Sequence, residues 1–260
     1  MELNDYLNEF TADWHLEGRA KATVVTYCRF VREFVAHCDG EPTLGDAKCW
    51  LALSPSAETA RYRARALRAF GKWSSANDGP IWEWSNKVPL TTVKPQPQPT
   101  VTKVEYEAAL GAAKCVRDRL VIELLWSTGM RVSELSRLAI EDVFVSERYV
   151  VVRQSKAGKP RLAPLSEAAC RLVRRHLQGR SEGPLLKMSR TAIQLVLRRL
   201  GAPSPHAWRR GWAVNALRNG VSQTSVQVAA GWSSGAMVTR YTSALSHDLA
   251  ISEFIHKQSC

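Results

Sequence analysis

Pro89-Leu-Thr-Thr-Val-Lys-Pro-Gln-Pro-Gln-Pro99 divides the chain. Prolines at 89, 95, 97 and 99 lack the amide hydrogen that a helix needs and fix φ, so the stretch reads as an extended, semi-rigid connector. The charge balance changes at the same place. Residues 1–99 carry 12 basic and 12 acidic side chains, so the formal +12 of the 260-residue chain belongs wholly to residues 100–260. A linker over 89–100 therefore separates a neutral unit, residues 1–88, from a strongly basic one, residues 101–260. No internal repeat relates the two.

Units of these lengths suit two modest domains. The chain is 45% hydrophobic and 23% charged, which supplies enough apolar material for packed cores and argues against disorder. No apolar run approaches the roughly 18 residues of a membrane helix, and no membrane partner is expected. The opening Met1-Glu-Leu-Asn-Asp-Tyr-Leu7 is acidic where a secretion signal is basic. The six cysteines show no CxxC pair and no zinc-ligand spacing, and read as reduced thiols of a cytoplasmic protein. Neither a metal nor a cofactor is expected. The surplus positive charge points to a polyanion, because neutralising phosphates releases counterions; a solvated basic surface is the plainer alternative.

Upstream of the linker, apolar residues recur at helical spacing: Leu3, Leu7, Phe10 and Trp14, then Val24, Cys28, Val31 and Val35. A third helix is expected over Leu44–Leu53 and a fourth from Ala57 to about Lys72. On the fourth, Arg61, Arg65, Arg68 and Lys72 line one narrow stripe, while Tyr62, Ala66, Ala69 and Trp73 lie on another face suited to packing inward. The stripe is either a basic ridge for a polyanion or an ordinary solvated helix face.

Downstream, helices are expected over 102–113, 116–127, 131–139, 166–178, 189–200, 206–219, 222–230 and about 245–256. Tyr149-Val-Val-Val-Arg-Gln154 and Pro160-Arg-Leu-Ala-Pro-Leu165 flank Ser155-Lys-Ala-Gly-Lys159 and read as a β-hairpin. Polar residues collect at element boundaries, where side chains can converge. Arg131 follows the glycine break Ser127-Thr-Gly-Met130, and Lys156 stands at the hairpin tip. His206 and Arg209 lie three apart on a helix opened by Pro205, and Trp232 and Tyr241 bracket the turn Ser233-Ser-Gly235. Singly, each has an unremarkable structural explanation.

In combination they do not. Thr128-Gly-Met-Arg-Val-Ser-Glu-Leu135, Ser155-Lys-x-x-Lys-x-Arg-x-x-Pro-Leu165, His206-x-x-Arg209, Gly231-Trp232 and Tyr241 closely resemble the tyrosine recombinase (phage integrase) family over about residues 100–245. The resemblance implies a mainly α protein, with an N-terminal four-helix core-binding (SAM-like) domain and a mixed α+β catalytic domain holding a small antiparallel sheet. It implies site-specific cutting and rejoining of DNA through a 3′-phosphotyrosyl intermediate, without metal or ATP. Tyr241 would be the nucleophile, and Arg131 and Arg209 would clamp the non-bridging oxygens of the scissile phosphate. Lys156 would protonate the leaving 5′ oxygen, with Lys159 as its rival. His206 would assist proton movement at the nucleophile or hold the phosphate, and Trp232 would donate its indole N–H to the phosphate.

Arg61, Arg65, Arg68 and Lys72 of the helical stripe are then expected to contact DNA, as are Lys159, Arg161, at a backbone phosphate, and Arg210. The chain departs from the family at 232, most often His, and at 210, commonly His. The expected partners are double-stranded DNA with inverted core-site repeats and three further copies of the chain. Those copies would be joined through Leu245, Leu249, Phe254 and Ile255 on the final helix, unless that helix packs on its own domain. An accessory DNA-bending or directionality factor is left open. With helices beginning almost at Met1, a minimal two-domain member without an arm-binding domain is expected. The alternatives are a type IB topoisomerase-like enzyme and a catalytically silent DNA-binding protein.

Overall fold

The structure, a computed structural model, describes residues 2–80, 82–93, 98–153, 160–235 and 238. The chain divides into two compact units, Met1–Gln96 and Pro97–Cys260.

The first unit holds α1 (Leu3–Leu16), α2 (Lys21–Val35), α3 (Leu44–Ala52) and α4 (Ala57–Ala76), followed by a 3-10 turn over Glu83–Lys87. Local chemistry sets the helix starts. Thr43 and Asp46 satisfy each other's backbone N–H at the head of α3, and the Ser56 hydroxyl accepts from Thr59 N–H at the head of α4. Phe10, Phe34 and Phe70 are fully buried between the helices, with Trp73 and Trp82 packed edge-on against Phe10 and Phe34 respectively. The 3-10 turn, which has no apolar periodicity to reveal it, packs so tightly on α4 that a Cβ at Gly71 would lie 2.3 Å from Ser85 Oγ.

Helix α4 buries Ala60, Ala64, Leu67 and Phe70 as well as Ala66 and Trp73, a broader face than the stripe pattern suggests. The basic stripe is therefore split. Arg65 and Lys72 are exposed, whereas Arg68 is half-buried and donates from Nε to the Val88 carbonyl at 2.8 Å. Arg61 is also half-buried, with its Nε enclosed.

The second unit runs α5 (Lys103–Ala112), α6 (Val116–Thr128), α7 (Val132–Leu135), a 3-10 turn (Ile140–Asp142), β1 (Val143–Phe144), β2 (Tyr149–Val152), β3 (Arg161–Pro164), α8 (Glu167–Leu177), α9 (Arg190–Arg199), α10 (Pro205–Arg218) and α11 (Gln223–Ala230). Helix α6 is enclosed by α5, α8 and α10, and its Leu120, Val121, Ile122, Leu124 and Leu125 are all fully buried. The sheet has order β1-β2-β3, antiparallel throughout, with Val143 opposite Val150 and Val152 opposite Arg161. Val150, Val152 and Ala163 face the core, as the period of two requires.

The structure departs from the sequence expectation at two places here. The helix expected over 131–139 stops at Leu135, because residues 138–140 pair in extended form with 183–185. Leu185 N–H donates to Leu138 O at 2.8 Å and Ile140 N–H to Gly183 O at 2.9 Å. That pairing partner lies more than forty residues away, and strand β1, two residues long, carries no readable alternation. The expected hairpin turn, residues 154–159, and the expected helix over 245–256 lie outside the described residues.

Candidate active site

Two helices that end on glycine build the centre of the site. Helix α6 closes at Gly129 with φ +59°, and α11 closes at Gly231 with φ +65°, both left-handed. No other side chain fits at Gly129, where a Cβ would fall 2.4 Å from the Trp212 ring. The two ends present carbonyls to one buried cation. Arg209, on α10 and only 4% exposed, donates from Nη1 to Gly129 O at 2.6 Å and from Nη2 to Ala230 O. Its guanidinium carbon lies 5.2 Å from the centroid of the Trp232 ring, itself buried. The plane of the guanidinium is thereby fixed before any ligand arrives.

Helix α10 is anchored where the second unit's chain begins. Val101 N–H donates to Ala207 O at 3.1 Å, and Gly211 allows the helix to approach so closely that a Cβ there would meet Val101 O at 2.5 Å. Arg210 adds to this anchor by donating from Nε to Pro99 O at 2.7 Å. Its described bond is thus to the protein's own backbone, whereas the sequence suggested a DNA contact.

Arg131 stands two residues past Gly129, at the head of α7. Its backbone N–H and its Nη1 donate to the two oxygens of Glu134, both at 2.7 Å. Glu134 is buried, and burial alone would raise its carboxyl. The Arg131 N–H, the charge of Arg161 and the Arg131 guanidinium outweigh that and hold it below the ordinary carboxylate range. Arg161 corrects a sequence expectation. It does not stand on the surface to meet a backbone phosphate but is 7% exposed, with Nη2 on Glu134 Oε2 at 2.7 Å and Nη1 on Ala229 O at 2.9 Å. Position 161 begins β3, and its alternation with the outward Leu162 turns it inward.

Arg131, Ser133, Arg190, Gln194, His206 and Arg209 line one cavity of about 200 Å³. The His206 ring is exposed at its rim. Partial enclosure of the ring, then the positive charges of Arg210, Arg131, Arg209 and Arg190, push the imidazole below its usual value, so it is neutral at pH 7. A neutral imidazole among guanidinium groups can accept a proton next to a bound anion, and the guanidinium forks match phosphate oxygens. Arg190 was not anticipated from sequence. It follows the helix-capping Ser189 at the head of α9, an element boundary of the kind that singled out Arg131 and His206. Lys156, Lys159 and Tyr241 lie outside the described residues. Among the described residues, no cluster of three metal-ligating side chains occurs and no helix is long and apolar enough to cross a membrane.

Residues 99–247 match the model of the phage integrase family, more than half of the chain. The chain belongs to the phage integrase family. It is 28% identical to the tyrosine recombinase XerA of Pyrococcus furiosus, over 92% of this chain and 89% of that one. It is 30% identical to the tyrosine recombinase XerC of Mycobacterium leprae, over 91% of this chain and 93% of that one. Its fold is shared with a lambda integrase dimer bound to a COC′ core site, at TM-score 0.77 and 17% identity, over 93% of this chain and 77% of that one. A structure of XerA recombinase matches 98% of both chains at TM-score 0.54 and 22% identity. The activity class of this phage integrase family member is that of a tyrosine recombinase, a site-specific DNA strand transferase. DNA relaxation without strand exchange and silent DNA binding are not favoured.

Proposed function

We propose that the chain exchanges DNA strands by transesterification at Tyr241, with Arg131, Arg209 and His206 holding the scissile phosphate. The observation that carries this reading is the single cavity lined by all three side chains, with Arg209 locked by carbonyls from two helix ends. As the phosphodiester is attacked, negative charge grows on the non-bridging oxygens, and preset guanidinium forks stabilise that charge without reorganising. The Tyr241 oxygen forms a bond to phosphorus and the P–O5′ bond breaks. The tyrosine proton passes to His206, and the leaving 5′ oxygen takes a proton from Lys156, leaving a 3′-phosphotyrosyl link and a 5′ hydroxyl. The phosphoester bond energy is conserved, so attack by a 5′ hydroxyl of another strand rejoins the DNA. No metal and no ATP enter the balance.

Double-stranded DNA with inverted core-site repeats is the proposed substrate. Four copies would assemble on it, with residues 245–256 reaching a neighbouring copy; one solved relative of the same fold is a lambda integrase tetramer bound to a Holliday junction, at TM-score 0.75. In the first unit, Arg65 and Lys72 are the exposed members of the α4 stripe and the better candidates for phosphate contacts. A cytoplasmic, DNA-associated location agrees with this role.

The test uses a core-site duplex nicked close to the cleavage position, so that the short 5′-hydroxyl fragment diffuses away and traps the intermediate. A denaturant-resistant protein–DNA adduct is expected in EDTA and without ATP. Two differently labelled duplexes should also yield recombinant products. A metal requirement, or relaxation of supercoils without exchanged products, overturns the proposal.

The depressed His206 pKa gives a pH prediction. The folded protein binds this proton less readily than a free imidazole, whose pKa is about 6.5. Neutral His206 is the active form, so His206 limits the single-turnover cleavage rate only on the acid side, where the rate falls as pH drops below that value and through the depressed pKa. His206→Gln should lower the plateau by about 100-fold and abolish this acid limb. A pH–rate profile unchanged by the substitution would remove His206 from the proton path.

A further inference from the structure

We infer that Arg161 is a positioning residue, one that makes the orientation of the Arg131 clamp depend on the β2–β3 hairpin and on the end of α11. Its buried guanidinium joins three segments of chain that are far apart in sequence. It begins β3, five residues after Lys156 in sequence. It holds Glu134 Oε2 on α7 at 2.7 Å, and Glu134 in turn holds the backbone and side chain of Arg131 at 2.7 Å each. It also donates to Ala229 O at 2.9 Å, one residue before the carbonyl that receives Arg209 and three before Trp232.

The backbone around Arg161 is shaped to admit it. At Gly231 a Cβ would lie 2.6 Å from Arg161 Cδ and 3.1 Å from its Nε, so the left-handed end of α11 leaves room for the arginine stem alone. Filling a core does not call for a charged group here, since burying an ion pair gains little over an apolar side chain of similar volume. Two acceptors lying in different directions do call for a planar fork, and a lysine ammonium does not span them in the same way. A displaced hairpin therefore pulls on Glu134, and Glu134 turns Arg131 away from the phosphate. The arrangement ties the clamp arginine on α7 to β3 and to the end of α11 through one buried guanidinium.

This inference rests on the proposed clamp role of Arg131, and a double-mutant cycle separates the two. Single-turnover cleavage and DNA affinity are measured for Arg161→Lys, Arg131→Ala and the double variant, with thermal melting to fix the folded fraction. Arg131→Ala alone reads the clamp: a wild-type rate there removes that role and this inference with it. With the clamp in place, Arg161→Lys should slow cleavage by about 10- to 100-fold, the scale expected when a reacting group is misplaced by an ångström. Its DNA affinity should stay within about threefold, since the phosphate contacts that dominate binding lie elsewhere. The double variant should cleave no more slowly than Arg131→Ala, because the two act as one unit. Losses that multiply, or a loss no greater than the drop in folded fraction, overturn the coupling. Should Arg161→Lys fail to fold, the same cycle is run with Glu134→Gln, whose loss must likewise vanish on the Arg131→Ala background.

Discussion

Arg209→Lys is expected to lower single-turnover cleavage by about 10²- to 10³-fold, the scale seen when one preset donor to a developing oxyanion is removed. The substitution keeps the positive charge and removes the geometry. Arg209 is held in plane by Gly129 O and Ala230 O and by the Trp232 ring beside it, and it lines the same cavity as Arg131 and His206. A lysine has no fork with which to satisfy both carbonyls and a phosphate oxygen together. One buried carbonyl left without a donor costs about 1–3 kcal/mol of stability, so the melting temperature should fall as well. DNA affinity should change little, because a long interface of other phosphate contacts remains. A cleavage rate within about threefold of wild type would show that Arg209 acts on the fold and not on the phosphate.

Tyr241→Phe has the larger expected effect. Removing one oxygen removes the atom that bonds to phosphorus, and no covalent adduct should accumulate. Loss of a nucleophile of this kind is worth about 10⁴-fold or more in rate. The phenyl ring keeps the volume, so DNA binding and the melting temperature should match wild type. Adduct formation at a measurable rate in this variant would mean that another side chain attacks the phosphate.

The parts of the fold that were legible were those governed by local pattern. Helices α5, α6, α8, α9, α10 and α11 begin and end within a few residues of their expected bounds, because caps such as Thr102, Ser166 and Ser189 and stops such as Gly129 and Gly231 are written in neighbouring residues. What escaped was set by distant partners. Helix α7 is cut short by the 183–185 segment, and α4 buries more of its surface because α1, α2, α3 and a 3-10 turn all pack on it. The site followed the same division. Arg131, His206 and Arg209 stood out in the sequence at or near helix starts, but only the resemblance to the family gave them roles; the structure brings the three to one cavity. Arg161 was misjudged because an arginine beside a basic hairpin looks like a surface residue until Glu134, on another element, is found beneath it. Arg190 lacked only a reason to be noticed, which the shared cavity supplies.

Mapping the covalent link shows which side chain carries the DNA. Adduct formed on the nicked core site is digested with trypsin and nuclease, and the nucleotide-bearing peptide is sequenced by mass spectrometry. The expected peptide spans residues 241–257, with the phosphate on Tyr241 and joined to a 3′ carbon, while the released fragment bears a free 5′ hydroxyl. A phosphate found on any other residue, or a link to a 5′ carbon with a free 3′ hydroxyl on the fragment, would contradict the account.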